Sequence, residues 1–457
     1  MMGIEDMVKK YLITSAQLEA QPNYEFLKNL ELYAQRHDAQ IVVLPLAGTT
    51  VYDTVIHEDL QKYVLNTSRD YPLNQSLKIS NYEIKPQQIN PLTGIKRFAQ
   101  GDRSFIFGSP KQHLEYVAND NDDIPKAVLT TGSITHPYYK THTRVGRIAE
   151  KDHEYGAVIV EIEDNKTFHF RHIKALKSGR FFDVEGRYHN KKHEPLDGVE
   201  ALVIGDLHPN YLDPEHKKVT FEQIKHFKPK RIFLHDAFDG ISISHHNIGK
   251  NATNHMLYEM QGLNLGKELK HTYQVLKEYC KVMKPYGEVF VVKSNHDEHL
   301  NRYLEEGRFI GDKGNDYVGA QLYLALLEED GGLEKNIMDK TPLKYGLELQ
   351  GKLPKNLVFL NRQDGYKLLG YQLGNHGDLG KNGGKGSVRS IEEANGKSIT
   401  GHTHSPLKYR DTYRVGTSSK LRMGYNRGYS SWVNTNAVMY SSGQVQLLNT
   451  IRGKWKT

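Results

Sequence analysis

The sequence predicts an α/β protein of two domains, and three observations carry that reading. Its 457 residues exceed what one ordinary core holds, so two domains are the default. From Val199 onward, short apolar runs alternate with helical stretches, the order that builds a parallel sheet. The first three of those runs each end in a polar cluster, at the sheet edge where open α/β folds bind ligands. The expected division is an N-terminal α/β domain of unassigned role over residues 1–197 and a catalytic domain over 198–457.

In the N-terminal half, helical periodicity covers Tyr24–Arg36 and a strand is expected at Ala39–Pro45. Further β-branched runs bounded by Gly, Pro and Asp read as strands at Arg103–Gly108, Lys126–Thr131 and Gly156–Ile162. The basic stretch Arg187–Pro195 reads as a solvated connector. Beyond it, Ala201–Gly205 has the all-apolar character of a strand buried inside a sheet. Thr220-Phe221-Glu222-Gln223 matches a capping box opening a short helix before Pro229. Arg231–Leu234 is the next strand, a long helical region is expected over Asn254–Met283, and Glu288–Val292 is the third strand.

Composition narrows the function classes. Charged residues make up 25% and hydrophobic ones 38%, which suits a globular chain rather than a disordered one. No apolar run approaches the roughly 18 residues of a membrane span, and Met1–Asp6 lacks the layout of a secretory signal. The single cysteine, Cys280, excludes an internal disulfide framework and suits a reducing cytoplasm, where a helical packing role is expected for it. A net charge of +7 mildly favours a polyanionic partner. The 23 histidines invite a search for a metal site.

Asp206 and His208 are two apart, as are His402 and His404, so on extended backbone each pair shares a side. Asp236 is a carboxylate able to bridge two cations, Asn295 offers a neutral oxygen, and His376 a nitrogen. Oxygen and imidazole ligands without thiolate suit manganese, iron or zinc. Five blocks occur in order over residues 206–404: Asp206-Leu207-His208, His235-Asp236-Ala237-Phe238-Asp239, Ser294-Asn295-His296-Asp297, Asn375-His376-Gly377-Asp378 and Gly401-His402-Thr403-His404. Together they resemble the calcineurin-like metallophosphoesterase superfamily. The resemblance implies an α+β sandwich core and two divalent cations, manganese first, with iron, zinc or magnesium as alternatives. It assigns one ion to Asp206, His208, Asp236 and His404, and the other to Asp236, Asn295, His376 and His402. It also implies that His296 faces the phosphate and that Asp239 orients His296 from behind.

Two departures bear on the substrate. His235 stands where the superfamily carries glycine, and Gly240 stands where its protein phosphatases carry arginine, which argues against a protein-phosphatase site. Asp297 fits the nuclease-type variant, similar to the Mre11/SbcD-like exonucleases and to phage T5-type DNA-degrading proteins. The resemblance therefore implies a phosphodiesterase hydrolysing DNA, as endo- or exonuclease, acting in the host cytoplasm if phage-encoded. The alternative is a small-molecule phosphoesterase acting on a cyclic nucleotide or dinucleoside polyphosphate. A dead-site scaffold is the third reading, disfavoured because every ligand of the pattern is present.

Candidate substrate contacts are His245 and His246, with His299 nearby, and Lys381 and Lys385 in the glycine-rich stretch Gly380–Gly386. Arg422 and Arg427 lie in a basic, aromatic tail over residues 408–432, where cations suit phosphates and rings suit bases. Asp213 and His216 read as surface residues. DNA is the expected partner, no membrane is, and a homo-oligomer is expected because the N-terminal domain has no site of its own.

Overall fold

A computed structural model describes residues 9–46, 55–99, 101, 103–120, 124–330, 342–362, 364–423 and 426–456. The signal-peptide reading at Met1–Asp6 and positions 424–425 of the basic tail lie outside these residues. The chain is mixed α/β and divides into two compact units. One runs up to Val199 and includes Thr403–Gly416 and the chain from Leu421; the other is Glu200–His402 with Thr417–Lys420.

The first unit is built around Lys9–Ala16, parallel to Ala39–Pro45 and antiparallel to Gly156–Ile162, which pairs in turn with Phe168–Lys174. The helix Tyr24–His37 starts where the Asn23 side chain accepts the Phe26 N–H at 3.0 Å. It packs Phe26, Leu30 and Tyr33 against Leu12, Val43 and Ile159. Arg187–Pro195, expected as a connector, is instead sheet: Phe181–Asp183, Gly186–His189 and Lys192–Pro195 form three antiparallel strands. The turn is Asn190-Lys191, with φ of 48° and 56°, the left-handed pair that a two-residue hairpin requires.

The tail departs most from the expected boundary. Leu407–Tyr409 adds antiparallel to His113–Val117, and Thr435–Met439 pairs with Val445–Asn449. The Tyr116 hydroxyl donates to Asn449 Oδ1 at 2.9 Å, so these strands complete the first unit rather than the second. The interior of this unit holds charge. Arg171 meets Asp183 through Nε at 2.6 Å and Glu161 at 3.2 Å, while Lys408 meets Glu154 at 2.9 Å.

The second unit carries four parallel strands in the order Leu357–Leu360, Glu288–Val292, Arg231–Leu234, Ala201–Val203. Its helix Pro214–Phe227 begins at Asp213, whose side chain accepts the N–H groups of Glu215 and His216. The capping box expected at Thr220 is therefore mid-helix: Asp213 followed by Pro214 is the stronger start signal, and His216 is buried rather than on the surface. The expected long helix is broken. Asn251–His255 passes into a π-helical turn Met256–Met260, and a second helix, Leu265–Met283, opens at Asn264, with Cys280 buried on it. Beyond these strands, Lys367–Leu368 pairs antiparallel with Tyr371–Gln372, which runs parallel to Ser398–Thr400. Among the described residues no helix is long and apolar enough to cross a membrane.

Candidate metal centre

Strand ends deliver the second unit's polar clusters. Just past Ala201–Val203 and Arg231–Leu234 the backbones stay paired, with Leu207 N–H donating to the His235 carbonyl at 2.8 Å and His208 N–H to that of Asp236 at 3.0 Å. The chain after Glu288–Val292 supplies Asn295 and His296, and the segments after Tyr371–Gln372 and Ser398–Thr400 supply His376 and His402. His208, Asp236 and His402 have φ of 45°, 46° and 83°. Non-glycine residues seldom adopt such values, and they concentrate where a site over-determines the backbone.

Asp236 sits between two histidines. Its Oδ2 lies 3.3 Å from His208 Nε2 and its Oδ1 3.4 Å from His376 Nε2. Burial alone would raise this carboxyl, but His376, His296 and His208 hold it well below the usual range. Burial pushes His376 down to about 4, so its ring is neutral at pH 7. Burial also opposes charge on His208, yet Asp236 and Asp239 raise it well above its ordinary value. Asp206 is fixed through its backbone carbonyl, which accepts Ser418 N–H at 2.8 Å, and its Oδ2 accepts His402 N–H at 2.7 Å. Gly401 is required there: a Cβ on it would stand 2.0 Å from Asp206 Oδ1.

These residues fit a cation. Asp236 Oδ1, His376 Nε2 and Asn295 Oδ1 are buried and have no hydrogen-bond partner. An acceptor oxygen facing a neutral imidazole lone pair is costly unless something positive lies between them. Two ligands of one ion, each bonded at about 2.1 Å, stand roughly 3–3.4 Å apart, and the two Asp236–histidine separations match that.

Asp239 is placed differently from the expected role. Its Oδ1 accepts from His208 Nδ1 at 2.8 Å, and its Oδ2 accepts the Asn210 N–H at 2.8 Å. His296 Nδ1 meets the backbone carbonyl of Asp239 at 3.0 Å, and one ring nitrogen of His296 lies within 4.8 Å of a carboxylate oxygen of Asp239. The carboxylate thus orients the His208 ring. The His208 and His296 rings are 5.0 Å apart.

His235 is the residue that sequence reasoning missed. Fully buried, it groups with Asp206 and His376, one ligand atom from each lying within 4.8 Å of the others. Its Nδ1 is 3.4 Å from His376 Nδ1, and burial followed by His376 pushes it down to about 3. The available signal was an imidazole at a position where the resembling pattern has glycine.

His404 belongs to the first unit, where its ring meets Trp432 edge-on at 4.2 Å and its carbonyl accepts Val433 N–H at 3.2 Å. Arg422 and Arg427 belong to that unit too, and Arg422 donates to the Gly428 carbonyl within its own loop. Lys381 is paired with Glu393 of the helix Val388–Asn395, and Lys385 is exposed. Asp378, beside His376, forms a two-point pair with Arg362 at 2.7 Å for each contact. His245 and His246 form a group with His299.

No family model matches the chain. It is similar to Protein A1 of Escherichia phage T5, 28% identical over 480 residues, covering 98% of this chain and 83% of that protein.

Proposed function

We propose that the chain is a calcineurin-like metallophosphoesterase of the nuclease type, hydrolysing DNA phosphodiester bonds with two divalent cations. The observation that supports this reading most is Asp236, with one oxygen turned to His208 and the other to His376. The proposed ligand set is Asp206, His208, Asp236, Asn295, His376 and His402, with His404 added by the resemblance, two residues beyond His402 along the chain. Bound cations would supply a hydroxide at neutral pH and neutralise phosphate charge. Similarity to a phage protein and a net charge of +7 favour a polyanionic substrate met inside a host cell.

The chain's own groups divide the remaining work. Asp239 takes the His208 Nδ1 proton in a hydrogen bond, which keeps the Nε2 lone pair directed at the centre. His296 donates through Nδ1 to the Asp239 carbonyl, leaving Nε2 to hold a proton and release it to the leaving oxygen. The test is incubation with linear, circular and single-stranded DNA and with bis-p-nitrophenyl phosphate, each with manganese, magnesium or chelator. Metal-dependent DNA cleavage that weakens as salt rises is expected. Cleavage of the small diester while every DNA form survives at low salt would move the substrate to the small-molecule class. His296→Ala should keep both ions and lose about 10²–10⁴-fold in rate.

A further inference from the structure

A second cluster of imidazoles shares no residue with the proposed metal centre. His245 and His246 lie on the 3₁₀ turn His245–Asn247, which the Ser244 side chain opens by accepting the His246 N–H at 3.3 Å. His299 lies in the first turn of the helix Asp297–Glu305. One ring nitrogen from each of the three lies within 4.8 Å of those of the other two. Ring centroids are 3.9 Å apart for His245 and His246, and 5.2 Å apart for His245 and His299.

Two features make this more than a chance meeting of histidines. The Nδ1 atoms of His245 and His299 are shut off from solvent and have no hydrogen-bond partner, a costly state when nothing occupies it. The fold also keeps space for His299: Gly240 has φ +64°, and a Cβ there would stand 3.3 Å from His299 Nδ1. A side chain at 240 would press against the ring and require it to give by a few tenths of an ångström.

The neighbours decide what kind of ligand fits. Burial, then His246, Arg302 and Arg308, lowers His245 against the opposing pull of Glu306. Burial, then His296, pushes His299 down to about 3. Neutral imidazoles are poor anion hosts and good metal ligands, since a ligand nitrogen must be unprotonated. The set has no carboxylate and no thiolate, which selects borderline transition ions over magnesium or calcium.

We propose that His245, His246 and His299 form a third cation site, separate from the two-metal centre, which takes a single zinc-class ion (Zn²⁺, Co²⁺ or Ni²⁺) on three imidazoles and leaves a fourth position open. The His296 and His299 rings are 5.0 Å apart, so the open position adjoins the residue assigned to the leaving oxygen. An ion there would supply a Lewis-acidic position beside His296.

The test is metal uptake by the full-length protein, stripped with chelator and titrated with Zn²⁺ and Co²⁺, followed by elemental analysis and the visible Co²⁺ absorption. Wild type should bind one more equivalent of Zn²⁺ than Asp236→Asn loses. His246→Gln, an exposed change that spares the core, should lose that equivalent or bind it at least about tenfold more weakly. His299→Asn should lose it as well. Asp236→Asn should retain it, which separates this site from the proposed function. Equal stoichiometry and affinity in wild type, His246→Gln and His299→Asn would overturn the proposal. So would loss of every equivalent in Asp236→Asn.

Discussion

In the first unit, buried Asp183 accepts from Arg171 at 2.6 and 2.7 Å, from Tyr33 at 3.0 Å and from Gln446 at 3.1 Å. In the second, Asp236 is just as buried, yet its Oδ1 has no hydrogen-bond partner and faces an imidazole nitrogen in the same state. Glu154 and His376 repeat the contrast. Burial would raise Glu154, but Lys174 and Lys408 hold it ionised, whereas the His376 Nε2 is left open. Among the described residues, no group of three histidine, cysteine or carboxylate ligand atoms within 4.8 Å lies wholly in the first unit. A buried carboxylate whose oxygens are all bonded, like Asp183, serves stability. Acceptor atoms that converge without partners, as around Asp236, are what a cation site requires.

The largest expected effect comes from Asp236→Asn. Bound Mn²⁺ at about 100 times its dissociation constant should raise the stability of wild type by about 2.7 kcal/mol, read as a shift in thermal midpoint. The variant should show no such shift and no hydrolysis. A wild-type midpoint indifferent to every divalent ion would erase the contrast between the units.

Much of the second unit was legible because its strands are short apolar runs with hard stops. Arg231–Leu234 and Glu288–Val292 begin and end where the pattern places them, and their polar sequels lie at one sheet edge. The tail was not legible. Pairing Tyr409 with His113 joins residues about 300 positions apart, and nothing local encodes that register. The turn at Asn190-Lys191 was missed because it carries no glycine. His235 was read only as a departure, since an imidazole in a glycine position announces nothing until its neighbours Asp206 and His376 are known. Lys381 looked available because its partner Glu393 sits on a helix beyond the loop.

Acid should separate the two interiors next. In the first unit, burial pushes His113 and His172 down to about 3 and His153 to about 4. Unfolded histidine titrates near pH 6.5, so between these values the unfolded chain binds more protons. Stability is then full above about pH 6.5 and falls as pH drops toward 4. At pH 5 each group costs about 2 kcal/mol, so the urea midpoint should fall steeply between pH 7 and 5. Trp432 and Trp455, both in this unit, report that transition by fluorescence. A flat midpoint over that range would mean these rings are not held neutral by burial.

Glu154→Gln probes the closed interior directly. It leaves the buried Lys408 ammonium facing an amide, and breaking a buried pair in this way costs about 3–5 kcal/mol. Tryptophan fluorescence should report the loss, while Mn²⁺ binding in the folded protein should be unchanged. Equal damage to metal affinity would show that the two interiors are not independent in function.

The smallest effect is the most discriminating, because two placements of Asp239 predict different observables. With its carboxylate on His208 Nδ1, Asp239→Asn weakens the hold on a metal-facing ring, and Mn²⁺ affinity should fall about 10–100-fold. At saturating Mn²⁺ most of kcat should return. If the carboxylate instead served His296, Mn²⁺ affinity would be untouched, and the loss would sit in kcat with a shifted alkaline limb of the pH profile, where the proton donor is lost. The Asn210 N–H contact survives in the variant, since an asparagine oxygen still accepts it, so the substitution isolates charge from loop geometry. A Mn²⁺ titration of both proteins followed by rates at saturation decides between the two rings.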